Sequence, residues 1–363
     1  MKKLNNLIKK GVPWHAVRFI TAVLTLTLIM GLFPGCNQSG DSGKKTLKVY
    51  NWGDYIDESV IDTFEKEYGI DVIYDTFATN EDMYVKIKSG GSDYDVAFPS
   101  DYMIERMIEE DMLEKVNFEN IPNMKYIDDK FKNLAYDPTN EYSVPYMWGT
   151  VGIIYNKTMV NEPVDSWDIL WDEKYAKQIF MLDSSRDSIG VALKKLGYSL
   201  NSRDEKELEE AKNELIKQKP LVLSYMGDDI KDAMVAGQAA LAVVWSGDAV
   251  AMKWENSDLE YVIPKEGSNL WFDSMVILKG SKNKEAAELF INYMCDPEVA
   301  LKNTEYIGYS TPNVEAKKML DEETLNDKTA YPSDEDIKNC EVFESVQDIV
   351  RIYDRIWTEV KAS

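Results

Sequence analysis

From residue 47 to residue 304, short apolar runs alternate with helix-patterned segments, and that rhythm limits the chain to a layered α/β fold. Residues 47–50 read as a strand. Residues 58–68 read as a helix, with Gly69 where a left-handed cap belongs. Residues 70–76 form a second strand, with Asp71 and Asp75 among its apolar positions. A helix over 80–88 is stopped by Gly90-Gly91. Residues 95–98 make a third strand, and Pro99-Ser100-Asp101 opens a helix to about 112. This order predicts a mostly parallel, doubly wound sheet.

Two β-rich runs break the rhythm. EYSVPYMWGTVGIIY begins at Glu141, and LWFDSMVIL covers 270–278. Between them lies a second series: strands over 178–182, 221–225, 239–245 and 261–264, and helices over 185–196, 204–217, 228–235 and 248–254. Helices over 284–295 and 297–304 follow. The last helix, 346–360, carries an apolar stripe at Ile349, Ile352, Tyr353, Ile356 and Trp357. The long runs are read as crossings between two lobes. Residues 46–150 with 272–330 form lobe 1, and residues 151–271 with 331–363 form lobe 2. Two lobes joined by more than one crossing make a cleft, which favours a ligand and permits hinge closure.

The first ten residues, MKKLNNLIKK, are basic, and FITAVLTLTLIMGLF follows at 19–33. A basic segment, an apolar core and a small residue before a cut describe an export signal over 1–35. Cys36 directly follows Gly35, which points to a lipoprotein cleavage site with Cys36 lipidated. Phe33 and Pro34 depart from the usual form of such a site. Residues 36–45 then read as a polar tether. The expected location is outside the cytoplasmic membrane, held by a lipid. The first 35 residues carry five Lys/Arg and no acid, so removing them takes the net charge from −23 to −28. Such a body repels nucleic acid and attracts cations.

His15, in the signal, is the sole histidine of the chain. An exported body without histidine excludes Ser-His-Asp and Cys-His catalysis and histidine metal sites. No cofactor or metal is expected. Cys295 sits in an apolar helical pattern and reads as a buried thiol. Whether it pairs with Cys340 is open.

Rings and acids recur where predicted strands end. YNWGDY brings Trp52 and Tyr55 after the first strand. Ser100, Asp101 and Tyr102 follow the third. Asp183, Ser184 and Asp187 lie after the strand at 178–182. Trp245 and Asp248 follow another, and Trp271 and Asp273 lie on the return crossing. In open α/β sheets ligands sit beyond the carboxyl ends of the strands. Helix N-termini there suit anions, but these acids would repel one. An ammonium is suited instead: cation–π contacts contribute about 0.5–2 kcal/mol each, and charge-assisted hydrogen bonds about 1.5–3 kcal/mol. Separated acids with rings between them fit a linear di- or polyamine. Singly, Asp101, Asp183 and Asp248 read as helix caps, and Trp167 and Trp171 as core.

The stretches YNWGDY, NEDMYVKIKSG, YDVAFPSDYMI, YSVPYMWGT, ALKKLGY, VVWSGDA, PKEG, LWFDSMVI, IGYSTPN and NDKTAYP resemble the spermidine/putrescine-binding components of polyamine ABC transporters. The resemblance is colinear from about residue 46 to the end. It implies a two-lobe periplasmic-binding-protein-like fold and delivery of a polyamine to membrane permease subunits, without enzymatic activity. It implies ligand contacts from Trp52, Tyr55, Ser100, Tyr102, Asp187, Trp245, Trp271, Asp273 and Tyr309, with the family's other acid falling on Ser184 beside Asp183. Asp248 resembles the putrescine-selective branch. Gly53, Ser184 and Phe343 (beside Glu344) depart from the family's Thr/Ser, acid and Gln. A monomer is the expected state. Two other readings stay open. A sugar-binding protein of the same fold would place Asn or Gln where Asp187, Asp248 and Asp273 stand. A glycosidase would need a working carboxylate pair.

Overall fold

A computed structural model describes residues 45–90 and 93–363. The signal 1–35, the single histidine, Cys36 and the rest of the tether up to 44 lie outside the described residues. Lys45, counted with the tether above, opens the first strand.

The first series runs β1 (Lys45–Trp52), α1 (Glu58–Tyr68), β2 (Ile70–Phe77), α2 (Asn80–Lys88), β3 (Val96–Ala97), α3 (Asp101–Glu109) and β4 (Leu113–Glu114). Leu47 and Val49 alternate into the core, as a half-buried strand requires. Asp57 caps α1 by accepting from the Ser59 N–H, and Gly69 ends it at φ +67°, a conformation that costs glycine nothing. Val60 and Phe64 turn the buried face of α1 inward. β5 (Ser143–Asn156) then leads out of this series. The second series holds β6 (Ile179–Leu182), α4 (Ser185–Lys195), α5 (Glu205–Gln218), β7 (Val222–Met226), α6 (Ile230–Val235), β8 (Leu241–Trp245), α7 (Ser246–Glu255) and β9 (Leu259–Val262). β10 (Leu270–Leu278) returns. It is followed by α8 (Lys284–Met294), α9 (Pro297–Ile307), α10 (Val314–Met319), α11 (Glu322–Asn326) and α12 (Val350–Ala362).

The strand order is β2-β1-β3-β10-β5-β8-β6-β7, with β4 on β10 and β9 on β5. The outer pairs are parallel: β1 with β2 and β3, and β6 with β7 and β8. The central pairs are antiparallel, so the sheet is mixed and not mostly parallel as the alternation predicts. The reason is the crossing itself. β5 runs from the first α/β lobe to the second, β10 runs back, and two neighbours on opposite journeys must be antiparallel. Residues 143–150 of β5 pair with β10, and residues 151–156 pair with β8 and β9. Nearly every side chain of both strands is buried, which explains their unbroken apolar pattern.

A third connection is side-chain mediated. Near the C-terminus, Glu105 on α3 accepts from the Ser345 N–H at 2.6 Å, while Asn201 in the second series donates to the Val342 carbonyl at 2.8 Å. The final helix then packs Tyr353, Ile356 and Val360 against α4 and α5.

Candidate functional site

The strand ends of both series meet along one edge of β10. Residues 269, 271 and 273 lie on the same side of an extended chain, and each reaches a different neighbour. The Asn269 amide approaches Asp187 Oδ1 at 3.5 Å. The Trp271 ring lies 5.1 Å from that of Tyr309, edge to face. Asp273 Oδ2 accepts from the Tyr55 hydroxyl at 2.7 Å.

Around Asp273 the first series supplies the walls. Trp52 is pinned by its indole N–H donating to the Phe98 carbonyl at 2.8 Å. Tyr55 packs edge-on against Tyr146 and Tyr309, each at 5.4 Å. Ser100 bridges to Asp273 through the backbone. Tyr309 comes so close to the start of α7 that a Cβ at Gly247 would collide with its ring. Its hydroxyl faces Asp248 and works to lower that carboxyl. Trp245, half-buried, stands immediately before that helix.

At the other end of the edge, Ser184 Oγ donates to Asp187 Oδ2 at 2.7 Å. Tyr102 donates to Glu81 Oε1 at 3.0 Å and meets Phe343 edge-on at 6.0 Å. The Arg186 guanidinium lies 4.3 Å from the Phe343 ring and 5.2 Å from that of Tyr102. A small cavity here is lined by Asp187, Ser268, Asn269 and Phe343. Asp101 joins the two ends: its carboxylate accepts from the Phe272 and Tyr102 N–H groups at 3.0 and 2.7 Å.

None of the three acids read as caps occupies a cap position. Ser184 caps α4, while Asp183 turns outward to Lys361 on α12 at 2.8 Å and stays partly exposed. Asp101 is the first residue of α3 and serves β10. Asp248 lies buried inside the first turn of α7. The structure therefore gathers Trp52, Tyr55, Ser100, Tyr102, Ser184, Asp187, Asp248, Trp271, Asp273 and Tyr309, with Trp245 half-buried just before α7. It leaves Asp183 in a surface ion pair.

Burial sets the electrostatics. It pushes Asp187, Asp248 and Asp273 each up to about 6. Hydroxyls oppose it at all three: Ser184 at Asp187, Tyr309 at Asp248, and Ser100 with Tyr55 at Asp273. Lys231 also lowers Asp248. Asp273 Oδ1, the Trp271 indole N–H and Asn269 Oδ1 are buried without a hydrogen-bond partner among the described residues. Buried polar atoms are rarely left so unless they serve a ligand. A desolvated carboxylate oxygen between aromatic faces is a receptor for a cation. Cys295 is buried and Cys340 half-buried, and both are free thiols.

Two α/β lobes linked by antiparallel crossings, with a polar and aromatic site along the link, are the architecture of a protein that binds a small solute. The chain belongs to the bacterial extracellular solute-binding proteins, whose family profile matches residues 59–333. The role of that family is solute binding and not catalysis. The chain is 38% identical over 330 residues to the spermidine/putrescine-binding periplasmic protein of Escherichia coli, covering 90% of this chain and 95% of that one. It is 46% identical, with TM-score 0.85, to the solved structure of a putative spermidine/putrescine ABC transporter from Listeria monocytogenes, covering 87% and 99% of the two chains. The spermidine/putrescine transporter substrate-binding protein of Streptococcus pneumoniae is similar at 45% identity and TM-score 0.77, over 88% and 99%. No helix among the described residues is long and apolar enough to cross a membrane.

Sequence reasoning missed Glu81, Arg186, Asn269 and Lys231. Glu81 and Lys231 look like ordinary helix-surface charges. Arg186 is hidden inside the acidic turn, and Asn269 precedes the strand that orients it. The alternation 269, 271, 273 was the available signal for Asn269.

Proposed function

We propose that this protein is the extracytoplasmic polyamine-binding component of an ABC import system. It takes putrescine or spermidine between rings and carboxylates and delivers it to the permease subunits. One observation carries the reading: the buried Asp273 has an unpartnered oxygen and lies among Tyr55, Trp271 and Tyr309. A neutral ligand gives no reason to desolvate a carboxylate there, because an isolated buried charge is costly. The names of the relatives support the same ligand class.

In this reading Asp273 anchors one ammonium. Trp52, Tyr55, Trp271 and Tyr309 flank the methylene chain, with Trp245 at the mouth and Ser100 and Tyr102 as polar contacts. Asp187, hydrogen-bonded to Ser184, receives the far ammonium. Asp248 lies beside Tyr309 toward the near end. The lobes divide at 150/151 and 271/272, with residues 331–363 belonging to the second. Export followed by lipidation of Cys36 would keep the protein, a monomer, beside its permease. Membrane association retained in a Cys36→Ser variant would rule the anchor out.

Calorimetric titration of the chain lacking residues 1–36 tests the function. Putrescine, spermidine and a neutral oligosaccharide are the ligands. Micromolar or tighter binding of an amine, with no heat from the oligosaccharide, is expected. Oligosaccharide binding without amine binding overturns the reading.

A further inference from the structure

The three buried acids of the site differ in one respect. Asp273 and Asp187 have no lysine or arginine nitrogen within ion-pair distance among the described residues, whereas Asp248 has one. Lys231 Nζ, on α6, stands 3.8 Å from Asp248 Oδ1. The same ammonium is 3.3 Å from Asp54 Oδ2, in the turn after β1. It therefore links the second series to the turn after β1, within ion-pair distance of Asp248. Asp228 is a third acid in the group. Its backbone carbonyl accepts from the Lys231 N–H at 3.2 Å, and its carboxylate would lie 3.2 Å from a Cβ at Gly53.

The arrangement has a consequence for any cationic ligand. An ammonium approaching Asp248 meets an ammonium already there, and like charges at a few ångströms in a partly desolvated site repel strongly. Asp54 and Asp228 offset part of that repulsion, but both are exposed, where high-dielectric solvent weakens their pull. Asp273 keeps a bare oxygen, so it remains the uncontested anchor.

We infer that Lys231 is a specificity-determining residue: its ammonium pre-occupies Asp248 and limits how many ligand ammonium groups the cleft accepts. This rests on the polyamine reading above. A ligand with two ammonium groups uses Asp273 and Asp187. A third ammonium is directed at Asp248 and is penalised. Gly53 contributes by leaving room for the Asp228 carboxylate beside the lysine.

The test is calorimetric titration of the protein and of Lys231→Met, Lys231→Gln, Lys231→Arg and Asp54→Asn with putrescine and with spermidine. Met preserves the apolar stem without the charge, and Gln serves if Met fails to fold. The expected result is a spermidine-to-putrescine affinity ratio raised at least tenfold in Lys231→Met or Lys231→Gln. Lys231→Arg keeps the wild-type ratio. Asp54→Asn also keeps it, because Lys231 still covers Asp248. Equal weakening of both amines in Lys231→Met makes the lysine a clasp between the lobes and overturns the inference, as does an unchanged ratio. If the unaltered protein binds neither amine, the polyamine reading itself fails, a result distinct from an unchanged ratio.

Discussion

Replacing Asp273 by Asn separates stability from function with opposite signs. The carboxyl is raised from 3.8 to about 6 by burial. At about 1.4 kcal/mol per pH unit, holding its charge at pH 7 costs the ligand-free fold roughly 3 kcal/mol. Asn removes that charge and keeps an oxygen for the Tyr55 hydroxyl. Its new amide has no evident acceptor, because Oδ1 is unpartnered. An unmet buried donor costs about 1–3 kcal/mol. The net is a gain of about 1 kcal/mol, or some 1–2 °C in the unfolding midpoint for a chain of more than 300 residues. Binding moves the other way. Loss of a charge-assisted hydrogen bond, about 1.5–3 kcal/mol, weakens putrescine roughly ten- to two-hundredfold. Scanning calorimetry of the ligand-free variant and isothermal titration read the two quantities. A variant that melts several degrees lower and still binds normally refutes the argument, since Asp273 would then be a structural hydrogen-bond partner and no anchor.

Other predictions follow from the same geometry. Asp187, Asp248 and Asp273 all have raised values near 6. Between about pH 4 and 6 the folded state therefore holds more protons than the unfolded, and ligand-free stability falls as pH rises through that window. Amine affinity rises over the same window as the acids ionise, so titrations at pH 5 and pH 7 differ by tenfold or more; equal affinities contradict the assignment. Gly247→Ala drives a methyl into the Tyr309 ring, and calorimetry is expected to give at least tenfold weaker binding with an unchanged circular dichroism spectrum. Asp187→Asn weakens binding at least tenfold, while Asp183→Asn changes it less than twofold, because Asp183 belongs to an exposed pair with Lys361. Equal effects would return Asp183 to the site.

Much of this was legible because local rules governed it. The helix from Glu58 to Tyr68, its glycine stop, the helix from Asn80 to Lys88 and the return strand from Leu270 to Leu278 follow from caps and periodicity alone. Pairing direction was not, because alternation says nothing about which way a neighbouring strand runs. The tertiary contacts of Asp101, Asp183 and Asp248 escaped for a related reason. All three lie near a helix start, where a cap is the commonest local role. Each also meets a residue far along the chain, at Phe272, Lys361 and Tyr309.

The sequence by itself determined the α/β rhythm, the two crossings and the presence of rings and acids at strand ends, since each depends on residues within a few positions. Only the tertiary structure decided which acids face the cleft, which are spent on backbone or surface lysines, and that Lys231 stands over Asp248. Charge and desolvation are properties of a three-dimensional neighbourhood, and a carboxylate's neighbours here lie dozens to hundreds of residues away.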